Sequence, residues 1–217
     1  MILPSQLKAG DVILCSGNKS FSKLIRWRTK SKYSHASICY DSESVVEASK
    51  SGVRMVATKT LIRGYPYVAV LRNPDVWTTE RIAAMQFFLD KILETGAKYN
   101  YGCIRQFLFD QEDDSYDIDE RIRQYFLEEL KPKELLAGRY FCSELVMACF
   151  IVTGIISEAA SFAFQPKTFA PVDIAKEDVC GWLLGYISMQ DRPNIYPGDD
   201  FEGDPFTFEE KVAYSKQ

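Results

Sequence analysis

Between residues 34 and 71 the chain sets out four short strand-like runs whose connections leave little room to cross a sheet. They fall at residues 34–40, at Ser44-Val45-Val46-Glu47-Ala48, at 53–57 and at 67–71, each apolar or alternating. A parallel pair needs a crossover of about a dozen residues or more, so neighbours this close in sequence pair antiparallel. Lys8-Ala9-Gly10-Asp11 reads as a turn into a fifth apolar run, Val12-Ile13-Leu14-Cys15. Ser20 is the expected N-cap of a helix to about Arg28, with Phe21, Leu24, Ile25 and Arg28 at helical spacing. The clearest helix follows Thr78-Thr79-Glu80: Ile82, Met85, Phe88, Leu89, Ile92 and Leu93 track one face, and Gly96 ends it. A second, strongly apolar helix opens at Tyr140-Phe141-Cys142-Ser143-Glu144-Leu145-Val146 and runs to about Thr153. Trp182 to Ile187 is a last strand-like run.

At 217 residues the chain suits one domain, expected over 1–190, with an insertion at about 103–138 and an acidic, aromatic-containing tail at 191–217. Within the insertion, 111–119 reads as an acidic loop and 119–130 as a polar helix stopped by Pro132. The tail is either disordered or docked through Tyr196, Phe201, Phe206 and Phe208. Apolar residues make up 47% of the chain, enough for a packed core. The net charge of −4 gives no reason to expect a nucleic-acid partner. A basic cluster, Lys23, Arg26, Arg28, Lys30 and Lys32, reads as a solvated helix face and loop, with an anionic ligand as the alternative. No apolar run approaches the roughly 18 residues of a membrane span, and Met1 to Gln6 lack the pattern of a secretion signal, so the expected location is cytoplasmic. The six cysteines, 15, 39, 103, 142, 149 and 180, form no Cys-x-x-Cys pair and are expected to be reduced thiols, with no metal or organic cofactor.

The chain has one histidine, His35. Mechanisms needing two imidazoles are therefore excluded, and proton transfer near neutral pH falls to His35. Thiol-based acyl transfer needs a cysteine, an imidazole and a polar group that orients the imidazole. Cys142 is the best nucleophile candidate. It stands at a predicted helix start, where unpaired N–H groups and the helix dipole favour thiolate. Cys149, seven residues on, and Cys15 and Cys39 in apolar runs read as core. The orienting group is Glu47, a charge between Val46 and Ala48 that is costly to bury unpaired. It lies twelve residues past His35, across a turn near Asp41-Ser42-Glu43, so a hairpin of suitable register brings the two together. Glu43 and Asp41 are rivals that read as turn surface.

The order of these pieces resembles the circularly permuted papain-like cysteine hydrolases related to the NlpC-type peptidases, in particular the YiiX/YebB-like branch. Gly10-Asp11-Val12-Ile13-Leu14 resembles that family's opening strand, Tyr33-Ser34-His35 with Ala36 and Ile38 its histidine strand, and Val45-Val46-Glu47-Ala48 its acidic strand. Tyr140 through Val146 resembles its nucleophile helix, Tyr99-Asn100-Tyr101 its aromatic segment, and Pro171-Val172-Asp173-Ile174 the segment that follows the helix. The resemblance implies an α+β, permuted papain-like fold with a small antiparallel barrel-like sheet packed against helices. It implies Cys142 as nucleophile, His35 as general base and acid and Glu47 as the group that orients it, with activity on an amide or peptide bond through an acyl-enzyme. The implied substrate is a small peptide or acyl-amide. Acyl transfer by the same triad, or a non-catalytic papain-like module that binds peptide or lipid, are the alternatives. Tyr99, Tyr101, Phe107, Phe109 and Tyr140 either line an apolar pocket or are plain core, and the oligomeric state is not encoded in any motif.

Overall fold

The structure, a computed structural model, describes residues 2–101, 138–157, 169–187, 195–201 and 207–215. The strand-like runs become β1 (Val12–Ser16), β2 (His35–Cys39), β3 (Ser44–Ser49), β4 (Gly52–Ala57) and β5 (Tyr67–Arg72). With β8 (Trp182–Tyr186) they form one six-stranded sheet in the order β4-β3-β2-β1-β5-β8, every pair antiparallel. The sheet is open, with β4 and β8 at its edges, rather than closed into a barrel.

Side chains alternate across a strand, so parity sorts the sheet into two faces. Val12, Leu14, Ala36, Ile38, Val46, Ala48, Ala69 and Leu71 face one core. Against them pack α3 (Thr79–Glu94), through Met85, Phe88, Leu89 and Ile92, and α4 (Cys142–Val152). Ile13, Cys15, Cys39, Val45, Val68 and Val70 face a second core with Ile2, Leu7 and Ile187. That side is closed by α2 (Thr58–Gly64), a short helix absent from the sequence reading, through Leu61 and Ile62. Coverage on both faces explains why β1 and β2 are buried at every position and run apolar instead of alternating.

Every residue of α4 from Cys142 to Phe150 is buried. Removing Leu145, Val146, Met147 and Phe150 from water stabilises the fold by about 1.5–3 kcal/mol each. The helix is therefore wedged into the core and its first turn is fixed against the sheet.

The remaining elements connect and clasp this body. Helix α1 (Ser20–Thr29) follows β1; its N-cap is Lys19, not Ser20, which is the first helical residue. It ends at Lys30 in the left-handed conformation, φ 51. Thr78 caps α3 by accepting from the Arg81 N–H at 3.3 Å, and Gly96 follows with φ 63. A two-residue parallel pair, β6 (Lys98–Tyr99) with β7 (Arg139–Tyr140), holds the aromatic segment beside the entrance to α4. Pro171 to Ile174 opens the short helix α5 (Pro171–Lys176), and α6 spans Phe208–Ser215. The tail is docked where it is described. Tyr196 packs on Tyr67, Phe201 on Tyr33, and Asp200 accepts from Ser31 Oγ at 2.6 Å and the Lys32 N–H at 3.0 Å. The expected acidic loop, the polar helix, Cys103, Phe107, Phe109 and Phe206 lie outside the described residues. Among the described residues no helix is long and apolar enough to cross a membrane.

Candidate active site

The β2–β3 register decides whether His35 and Glu47 can meet. Ile38 pairs with Val46 and Cys39 with Val45. Continued outward, that register sets Ser37 opposite Glu47 and Ser49 opposite His35, so His35 and Glu47 are diagonal neighbours on one face. Long side chains span such a diagonal, and the Nε2–Oε2 distance is 2.7 Å. Glu47 is an acceptor, its carboxyl held below the usual range. Burial pushes it up, but hydrogen bonds from His35 and Arg54 outweigh that. Nε2–H of His35 therefore donates to Glu47, leaving Nδ1 for another partner.

That partner is Cys142. The thiol hydrogen-bonds the His35 ring from the first turn of α4. The ladder between β2 and β3 covers only two residue pairs, and the start of α4 sits where the strands part. Even-numbered residues of β2 direct their amides toward β3, as Tyr40 N–H does to the Ser44 carbonyl. The Ala36 N–H, on the same edge, and the Ser143 N–H, within the helix, lie beside the Cys142 sulfur and favour its thiolate. Helix start, strand edge and imidazole thus converge on one sulfur.

The electrostatics follow from this geometry. Burial pushes the Cys142 thiol up, but the hydrogen bonds from His35 and the two amides bring it below its ordinary value. Burial likewise pushes His35 down, and its bonds to Cys142 and Glu47 reverse this and raise it to about 10. The two shifts describe one state, a thiolate–imidazolium pair. Cys15, Cys39, Cys149 and Cys180 are free and buried, and burial pushes each of their thiols up. Among the described cysteines only the Cys142 thiol is brought below its ordinary value.

Two contributors were not found in the sequence. Arg54 stands directly opposite Glu47 on β4 and grips Oε1 from Nε at 2.9 Å and from Nη2 at 2.6 Å. The signal was present: a two-residue Lys50-Ser51 turn sets Glu47 against Arg54, an acid facing a base. Tyr65, after α2, stacks on the imidazole with ring centres 5.5 Å apart and planes 8° from parallel. Nothing local in the sequence pointed to it.

The rival acids are elsewhere. Asp41 Oδ1 accepts from the Glu43 and Ser44 amides and shapes the turn, and Glu43 is exposed. Tyr99 and Tyr140 are buried in the core below the site, with Tyr99 edge-on to Tyr101 at 5.0 Å. Among the described residues no group of three or more His, Cys, Asp or Glu side chains is placed to hold a metal ion.

Residues 6–135 match the family described as permuted papain-like amidase enzyme, YaeF/YiiX, C92 family. The chain belongs to this family. The matched stretch contains His35 and Glu47 and ends before Cys142. Over 163 residues the chain is 29% identical to the probable lipoprotein peptidase YaeF of Escherichia coli strain K12, covering 70% of this chain. It spans 58% of that relative's length. A crystal structure described as that of metalloprotein YiiX from Escherichia coli O157:H7 aligns with 67% of this chain and 65% of its own, at a TM-score of 0.46 and 23% identity.

Proposed function

We propose that this member of the permuted papain-like amidases hydrolyses an amide or peptide bond through Cys142, His35 and Glu47. The observation that carries the reading is the buried relay in which Glu47 holds His35 at 2.7 Å and His35 holds the Cys142 sulfur at a helix start. The Cys142 thiolate attacks the carbonyl carbon, and the Cys142 backbone N–H, at the first helical position where the helix itself supplies no acceptor, donates to the oxyanion. Nδ1–H of the imidazolium protonates the leaving amine as the C–N bond breaks, leaving a thioester. Neutral His35 then takes a proton from water, the hydroxide attacks the thioester, and the thiolate leaves to re-form the pair. Glu47 keeps Nε2 protonated throughout and supports the charged ring.

A peptide-type substrate is supported by the family and by the description of YaeF as a peptidase. All five described cysteines are free, which suits a reducing compartment, and we propose the cytoplasm as the location.

The test is turnover of a panel of acyl-amides and short peptides by wild-type protein and Cys142→Ala. The expected result is release of free amine by the wild type and a loss of about 10³-fold or more in the variant. An acyl adduct on Cys142, trapped by acid quench and read by mass, is expected at steady state. Substantial turnover by Cys142→Ala removes the proposal.

A further inference from the structure

We infer that the outer face of α1 is a docking surface for an anionic phospholipid bilayer, which would set the Cys142–His35 end of the sheet beside the lipid. Four helical residues, Ser20, Lys23, Leu24 and Trp27, are exposed at spacings that place them along one side of the helix. Trp27 is 75% exposed and Leu24 38%. Other large exposed apolar side chains, such as Leu3 and Phe87, are distant from one another in sequence. Leu24 and Trp27 form an adjacent pair, one turn apart on the same face.

Charge selects the partner. Between Asp11 and Asp41 there is no acidic residue, while Lys19, Lys23, Arg26, Arg28, Lys30 and Lys32 all fall in that stretch of a chain with net charge −4. Lys19, Lys23 and Lys30 are exposed and flank the Leu24–Trp27 pair. Arg26 and Lys32 lie over the Tyr196 ring, and Asp200 sits at the Ser31–Lys32 end, whereas Lys19, Lys23 and Lys30 have no such contact among the described residues. A tryptophan and a leucine between lysines match the interface of a bilayer. The indole and the leucine enter the headgroup and acyl boundary, and the ammonium groups meet anionic headgroups.

The surface also lies at the site's end of the sheet. Helix α1 leaves β1 just after Cys15, which pairs with His35, and the Gly17 N–H donates to Ser34 Oγ at 3.1 Å. The tip of the β3–β4 hairpin, which begins three residues past Glu47, joins it through Lys50 over the Phe21 ring.

The experiment is co-sedimentation of the full chain with vesicles of phosphatidylcholine alone or with about 30% phosphatidylglycerol, at low and high salt. Binding is expected to the anionic vesicles and to fall steeply with salt, with a blue shift of tryptophan emission that Trp27→Phe removes. Trp27→Ser is expected to weaken partitioning at least about tenfold. Lys23→Gln with Lys30→Gln should lower it about fivefold per lysine. All these side chains are exposed, so far-ultraviolet circular dichroism and Cys142 labelling should match wild type. Cys142→Ala should bind vesicles normally, which separates this surface from the hydrolytic reading. No binding to anionic vesicles, binding unchanged in Trp27→Ser, or binding to heparin in place of vesicles would each overturn the inference.

Discussion

His35 and Cys142 form a coupled pair, and its protonation has a shape that can be measured. His35 moves from an ordinary value of 6.5 to about 10, so its contribution to stability is complete below 6.5 and is lost as pH rises through about 10. Cys142 moves down from 9.0, so its contribution is complete above 9.0 and is lost as pH falls through its depressed folded value. Below 9.0, and above both 6.5 and the depressed Cys142 value, the folded pair and the unfolded chain bind the same number of protons, and the two dependences cancel. The stability of the wild type, from urea midpoints, should be flat in that window and decline as pH rises above it. A monotonic wild-type trend across the window would contradict the ion pair. Iodoacetamide should label Cys142 well below pH 8, with the profile displaced upward in His35→Ala. Arg54 is the residue to test beside Glu47. Its two-nitrogen grip on Oε1 leaves Oε2 aimed at His35, so Arg54→Ala should lower kcat about tenfold and Arg54→Lys should recover only part of it. Glu47→Ala should cost more, about 10²-fold or greater.

At the scale of elements, the hairpin pairing of β2 with β3 and β3 with β4 was readable because the connections between them are short, but the strand order was not, since β5 lies between β1 and β8 and does not pair with β4. Glu47 was readable too, as a charge in an apolar strand. Arg54 was missed because the β3–β4 register, although implied by the Lys50-Ser51 turn, was not followed to the opposite strand. Tyr65 and helix α2 were missed for a different reason: a seven-residue helix between strands carries too little periodicity to announce itself. Two glycines fix how the elements meet. Gly52, φ 104, closes the β3–β4 hairpin, and an added Cβ would lie 2.8 Å from the Ala97 carbonyl oxygen. Gly181, φ 106, leads into β8, where a Cβ would stand 2.4 Å from the Arg72 carbonyl carbon and 2.6 Å from the Asn73 nitrogen. Both obstacles at Gly181 are backbone and cannot swing aside. Gly181→Ala should therefore destabilise by about 3 kcal/mol or more in urea titration, and Gly52→Ala by less.

For the whole molecule, the described part of the tail is tied to the bend that delivers His35. Asp200 holds Ser31 and Lys32, Phe201 packs on Tyr33, and Tyr33 is buried two residues before the imidazole. Asp200→Ala should cost about 1 kcal/mol and lower the rate of Cys142 labelling without altering its far-ultraviolet spectrum. Labelling unchanged from wild type would limit the clasp to stability. The sequence by itself determined the antiparallel strands, the amphipathic α3 and the apolar α4, and it nominated His35, Glu47 and Cys142 as candidates, because periodicity, turn length and the scarcity of imidazole are local properties. Only the tertiary structure decided that the ladder between β2 and β3 is brief and that the start of α4 enters where the strands part. There the Ala36 amide and the His35 ring reach the same sulfur, while Arg54 and Tyr65 close around Glu47 and His35. Those contacts depend on where a helix about a hundred residues downstream packs against the sheet. No stretch of sequence encodes that placement, because it is set by the burial of both faces of the sheet at once.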